Sequence, residues 1–72
     1  PNSLPTEKPV LLTEQQVISI VSSQFTGEVE DIDFENTADG GYYLVEIDTA
    51  EEEVTVQIHA ITGKILSVSF DE

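Results

Sequence analysis

The chain has 72 residues, no cysteine, and fifteen acidic residues against two basic ones, for a formal charge of −13. That length holds one small domain with a thin core. It excludes a disulfide framework, and His59 alone, without cysteine, makes no structural zinc site of the usual kind. The charge argues against nucleic acid and anionic membrane surfaces as partners, because phosphate binding needs lysine and arginine.

No apolar run approaches the roughly 20 residues of a membrane span, and the first residues lack the basic and apolar regions of a signal peptide. Residues 1–10 contain P-N-S-L-P-T-E-K-P, with all three prolines of the chain. Each proline fixes φ and removes a donor, so this stretch reads as a flexible, Pro-rich linker ahead of one domain over residues 11–72.

Thr13-Glu14-Gln15-Gln16 has the form of a capping box, in which the threonine hydroxyl and the glutamine side chain satisfy backbone donors reciprocally. A helix is predicted from there to Phe25, with Val17, Ile20, Val21 and Phe25 at helical spacing on one side and Gln15, Ser19, Ser22 and Ser23 on the other. Gly27 closes it. The serines lower intrinsic propensity, so the helix depends on docking.

Four strand patterns follow. In Glu28–Glu35 acidic residues alternate with Ile32 and Phe34, and Val29 is out of phase, which predicts a bulge or a later start. Asn36–Gly41 is dense in turn formers. Tyr42–Asp48 places Tyr43, Val45 and Ile47 inward, and Thr49–Glu53 is an acidic hairpin loop. Val54, Val56 and Ile58 then alternate with Thr55, Gln57 and His59, and Leu66, Val68 and Phe70 with Ser67, Ser69 and Asp71. The intervening Ala60-Ile61-Thr62-Gly63-Lys64 is a tight reversal in which Gly63 supplies positive φ.

These elements predict an α+β fold of order α-β-β-β-β, one N-terminal helix on one face of a three- to four-stranded antiparallel sheet. Fifteen side chains are assigned inward: the helical four above, with Ile32, Phe34, Tyr43, Val45, Ile47, Val54, Val56, Ile58, Leu66, Val68 and Phe70. One helix covers one face only. The opposite face is solvated and carries Asp31, Asp33, Glu35, Tyr42, Leu44, Glu46, His59 and their polar neighbours.

No catalytic constellation stands out. The serines lie in the helix or along a strand, His59 has no motif-placed nucleophile around it, and carboxylates are too abundant for any pair to be singled out. No enzyme and no cofactor are expected. Asp31, Asp33 and Glu35, or Glu51, Glu52 and Glu53, offer hard oxygens to calcium, but neither set matches an EF-hand, and a solvated acidic face accounts for both. Tyr42 and Leu44, ringed by acids and flanked by Glu46 and His59, form the candidate protein-binding patch.

Two stretches carry a family resemblance. Val54-x-Val56-x-Ile58-x-Ala60-x-Thr62-Gly63-Lys64-Ile65-Leu66 resembles the C-terminal hairpin of the PepSY domain family, named for peptidase propeptides and a spore-cortex protein. Leu12-Thr13, Ile18, Ile20, Val21, Phe25 and Gly27 resemble its opening signature. The chain departs from the pattern at His59, where the family usually has an acid, and at Val17, where it often has alanine. The resemblance spans Leu11 to Phe70. It implies a non-catalytic, extracytoplasmic regulatory module, secreted or at the bacterial cell surface with any signal or anchor outside this stretch. Such a module inhibits or modulates a peptidase, a metalloprotease among the candidates, by protein–protein binding. The alternatives are a structural interaction domain of a cell-envelope protein and a weak calcium-responsive acidic module. No inhibitory residue carries over, because the matching positions belong to core and turns.

Overall fold

A computed structural model describes residues 10–71. Apart from Val10, the linker expected over residues 1–10 lies outside them. One helix, α1 (Glu14–Gln24), precedes four strands, β1 (Glu28–Glu35), β2 (Tyr42–Asp48), β3 (Glu53–His59) and β4 (Ile65–Asp71). The strands pair antiparallel in sequence order as a single meander, the predicted α-β-β-β-β arrangement.

The helix starts where the capping box places it. The Gln16 N–H donates to Thr13 Oγ1 at 3.1 Å, and the Thr13 N–H donates to Gln16 Oε1 at 2.9 Å, so two otherwise unpaired donors of the first turn are satisfied. Phe25 ends the helix in extended conformation while its N–H still donates to the Val21 carbonyl. Val17 and Val21 are fully buried, with Ile20 and Phe25 packed beside them.

The core is the centre of the sheet under that helix: Val45, Ile47, Val54, Val56 and Ile58, with Tyr43 and Ala60 at one end. Three residues assigned inward are not enclosed. Phe34 is 42% exposed, Leu66 45% and Phe70 62%. Eleven residues of helix span about 16 Å, which seals the middle of the sheet and leaves its corners open. Phe34 partly compensates by packing its ring at 5.4 Å from that of its cross-strand partner Tyr43.

Two bulges set the register. In β1 the pairing slips between Val29 and Asp31, so Val29 pairs with Ile47 and packs on the core while Glu30 is the extra residue; the bulge alternative holds. In β4 the slip lies between Ile65, opposite Ile58, and Ser67, opposite Gln57. Ile65 therefore takes the core position assigned to Leu66. Strict alternation had no means of showing the inserted residue.

Candidate protein-binding face

The face of the sheet away from α1 has no covering layer among the described residues. Pairing arranges it in rows across the strands: Glu35–Tyr42–His59, then Asp33–Leu44–Gln57–Ser67, then Asp31–Glu46–Thr55–Ser69, and finally Glu28–Asp48–Glu53–Asp71. The period-two backbone projects alternate residues of β2 to this side, so Tyr42, Leu44 and Glu46 form one continuous line. Each is half-buried by its cross-strand neighbours. Ser67 Oγ donates to Gln57 Oε1 at 3.1 Å, which fixes the second row. The face is thus graded, aromatic and aliphatic at the Tyr42 end and acidic at the Asp48 end.

His59 pairs with Tyr42, and the structure gives it a structural task beyond its place in the candidate patch. Its Nδ1 accepts from the N–H groups of Ile61 (3.1 Å) and Thr62 (3.3 Å), and its Nε2 lies 3.1 Å from the Asp39 carbonyl. An acceptor at Nδ1 and a carbonyl opposite Nε2 require the neutral tautomer protonated at Nε2. The ring therefore ties the β1–β2 turn to the β3–β4 turn. What it offers a partner is its ring face beside Tyr42, since both nitrogens are engaged. The Asp39 carboxylate sits 3.7 Å from Nε2, and its pKa is lowered chiefly by the Thr37 hydroxyl that donates to it.

The acidic end contains a grouping that sequence reading did not single out. The bulge brings Glu30 beside the paired Asp48 and Glu53, and carboxylate oxygens of all three lie within 4.8 Å of one another. Repulsion from Asp48 is the largest cause raising the Glu30 pKa, followed by partial loss of hydration and the hydrogen bond with Glu53. All three are exposed. The two calcium candidates read from sequence are not gathered in this way: Asp31, Asp33 and Glu35 each fall in a different row. Only Glu53 of the loop set joins the convergent group.

On the helix side, one corner stays open. Phe25, Val54 and Phe70 line a notch of about 370 Å³, walled by Thr49–Glu52 of the β2–β3 loop. Thr49 Oγ1 caps that loop, accepting from the Glu51 and Glu52 N–H groups.

Comparison with known families places this arrangement. The family model described as "PepSY: Peptidase propeptide and YPEB domain" matches residues 11–69. No curated protein and no solved structure matches the chain. No described helix is long and apolar enough to cross a membrane.

Proposed function

The chain belongs to the PepSY family, a propeptide-like, peptidase-associated module, and from that premise we propose that it is a non-catalytic regulator that binds and restrains a secreted or cell-surface peptidase. Membership carries the reading, since PepSY domains are generally regulatory and typically extracellular or periplasmic. The open face supports it. Tyr42 and Leu44 form an apolar line of the kind that anchors interfaces, Glu46 and Asp33 rim it, and His59 holds the adjoining turns in place. Inhibition works by occlusion: the face covers the peptidase cleft or blocks access to it, and no chemistry by the module is required. A metalloprotease is the favoured partner, on the propeptide relationship.

The test is a titration of the purified chain against secreted metalloproteases, following peptide turnover. A saturable fall in rate, weakened by Tyr42→Ser or Leu44→Ser, supports the proposal. Unchanged rates at about 50 μM chain, where a weak regulatory contact would already be populated, rule it out for those enzymes.

A further inference from the structure

Among the described residues both edges of the sheet are free, and they are built differently. β1 carries Glu28, Glu30, Asp31, Asp33 and Glu35 along eight residues, and a bulge besides. Charges and bulges on an edge keep other strands from pairing with it. β4 reads Ile65-Leu66-Ser67-Val68-Ser69-Phe70-Asp71 and carries no charge before its last residue. Past its own bulge at Leu66, the stretch from Ser67 to Phe70 pairs regularly with β3 on one side only. Its apolar side chains are the least covered of any strand, with Phe70 62% exposed.

Charge along this edge runs from one sign to the other. Lys64, the one basic residue among those described, precedes β4 at one end. At the other end stand Asp71, its partner Glu53, and Glu51 and Glu52 on the wall of the notch that Phe70 lines. The C-terminal end of α1 also lies at this notch, and its last turn holds no basic residue. The negative end of the helix dipole therefore adds to the field of the carboxylates.

We propose that the β4 edge is a strand-addition site for an extended partner segment that turns apolar side chains and one lysine or arginine, at alternate positions, to the helix side of the sheet beside Phe70. Backbone pairing to Ser67–Phe70 supplies affinity, and the notch supplies specificity by taking an apolar side chain with a basic one two positions along on the same face. Neighbouring strands lie about 4.8 Å apart, so a basic stem on the added strand reaches the Glu51 and Glu52 wall. A second copy of the chain is the disfavoured occupant, because it brings another charge of −13 against the first. This edge meets the Tyr42 face at Ser67 and Ser69 but makes no use of Tyr42 or Leu44, and its existence does not depend on the partner being a peptidase.

The probe is a blocked hexapeptide in which threonine alternates with valine, lysine and valine, so that lysine and valine share one face, titrated into the 15N-labelled chain. We expect saturable amide shifts confined to Ser67–Asp71, Glu51 and Glu52. Binding should weaken at least about threefold between roughly 50 and 300 mM salt, as an ion-assisted contact must. The counterpart peptide with glutamate for lysine should not bind. Glu51→Lys with Glu52→Lys, two substitutions in the loop, should abolish binding, as should Phe70→Ser, with unchanged melting curves showing that the variants remain folded; Leu44→Ser should leave it intact. Shifts confined to the Tyr42–Glu46 face, salt-independent binding, no shifts at about 1 mM peptide, or sedimentation of the free chain as a dimer that the peptide does not dissociate would each overturn the assignment.

Discussion

The Tyr43 hydroxyl donates to the Leu12 carbonyl at 2.7 Å, across 31 residues of sequence, while the Leu12 N–H donates to the Ala60 carbonyl at 2.8 Å. One residue ahead of α1 is thereby held at both its backbone groups, by β2 and by the β3–β4 turn, and the helix enters at a fixed angle. Tyr43→Phe keeps the ring on Phe34 and removes only this bond. We expect a loss of about 1 kcal/mol, read as a lower urea midpoint with an unchanged slope.

Ile58 is fully buried and Leu66 is the extra residue of the β4 bulge. Ile58→Ala should cost about 2–5 kcal/mol, a large share of the stability of so small a domain. Leu66→Ser should fall within about 0.5 kcal/mol of the parent. Circular-dichroism melts of both variants check the register: equal losses would place Leu66 in the core after all.

Gly27 joins α1 to β1 with φ +133, and a Cβ there would stand 2.6 Å from the Asp48 carbonyl oxygen and 3.0 Å from Ile47 Cγ2. The nearest obstacle is backbone and cannot rotate away. Gly27→Ala should destabilise by more than about 1 kcal/mol, and amide exchange should quicken first at the end of β2.

The Glu30 pKa is raised above its ordinary 4.5, chiefly by Asp48. A carboxyl that holds its proton more tightly when folded contributes stability that is present below its unfolded pKa and is lost as pH rises through the folded value. Glu30→Gln should therefore melt like the parent at low pH and above it once the pH exceeds that window, by a margin that added salt narrows. Asp39 moves the other way. Its lowered pKa, owed first to the Thr37 hydroxyl, gives stability that is present above the unfolded value and lost as pH falls through the folded one. Asp39→Asn should lose stability at neutral pH and match the parent in acid. Melting temperatures between about pH 2 and pH 7 test both signs.

His59 accepts the Ile61 and Thr62 N–H groups on one nitrogen and faces the Asp39 carbonyl with the other. His59→Ala frees all three groups at once. Hydrogen exchange at the Ile61 and Thr62 amides should accelerate by at least about tenfold, the factor that corresponds to about 1.4 kcal/mol of lost protection, while exchange in the centre of β3 changes less.

Much of the candidate site was legible in local pattern. The period of two in Tyr42–Asp48 predicted that Tyr42, Leu44 and Glu46 share a face, and pairing puts them there. The strand bounds of β1 and β2 and the capping box were legible for the same reason: each depends on residues within a few positions of one another. Glu30 was not legible, because its neighbours Asp48 and Glu53 come from other strands and only the bulge turns it toward them.

The sequence by itself determined the order of elements, the face that β2 and β3 bury and the family, since turn chemistry and hydrophobic period are written in adjacent residues. The tertiary structure alone decided how far a short helix reaches over the sheet, and so which apolar side chains stay outside. It also decided where each bulge shifts the register and what the histidine nitrogens bind, because these are set by distances between segments remote in the chain.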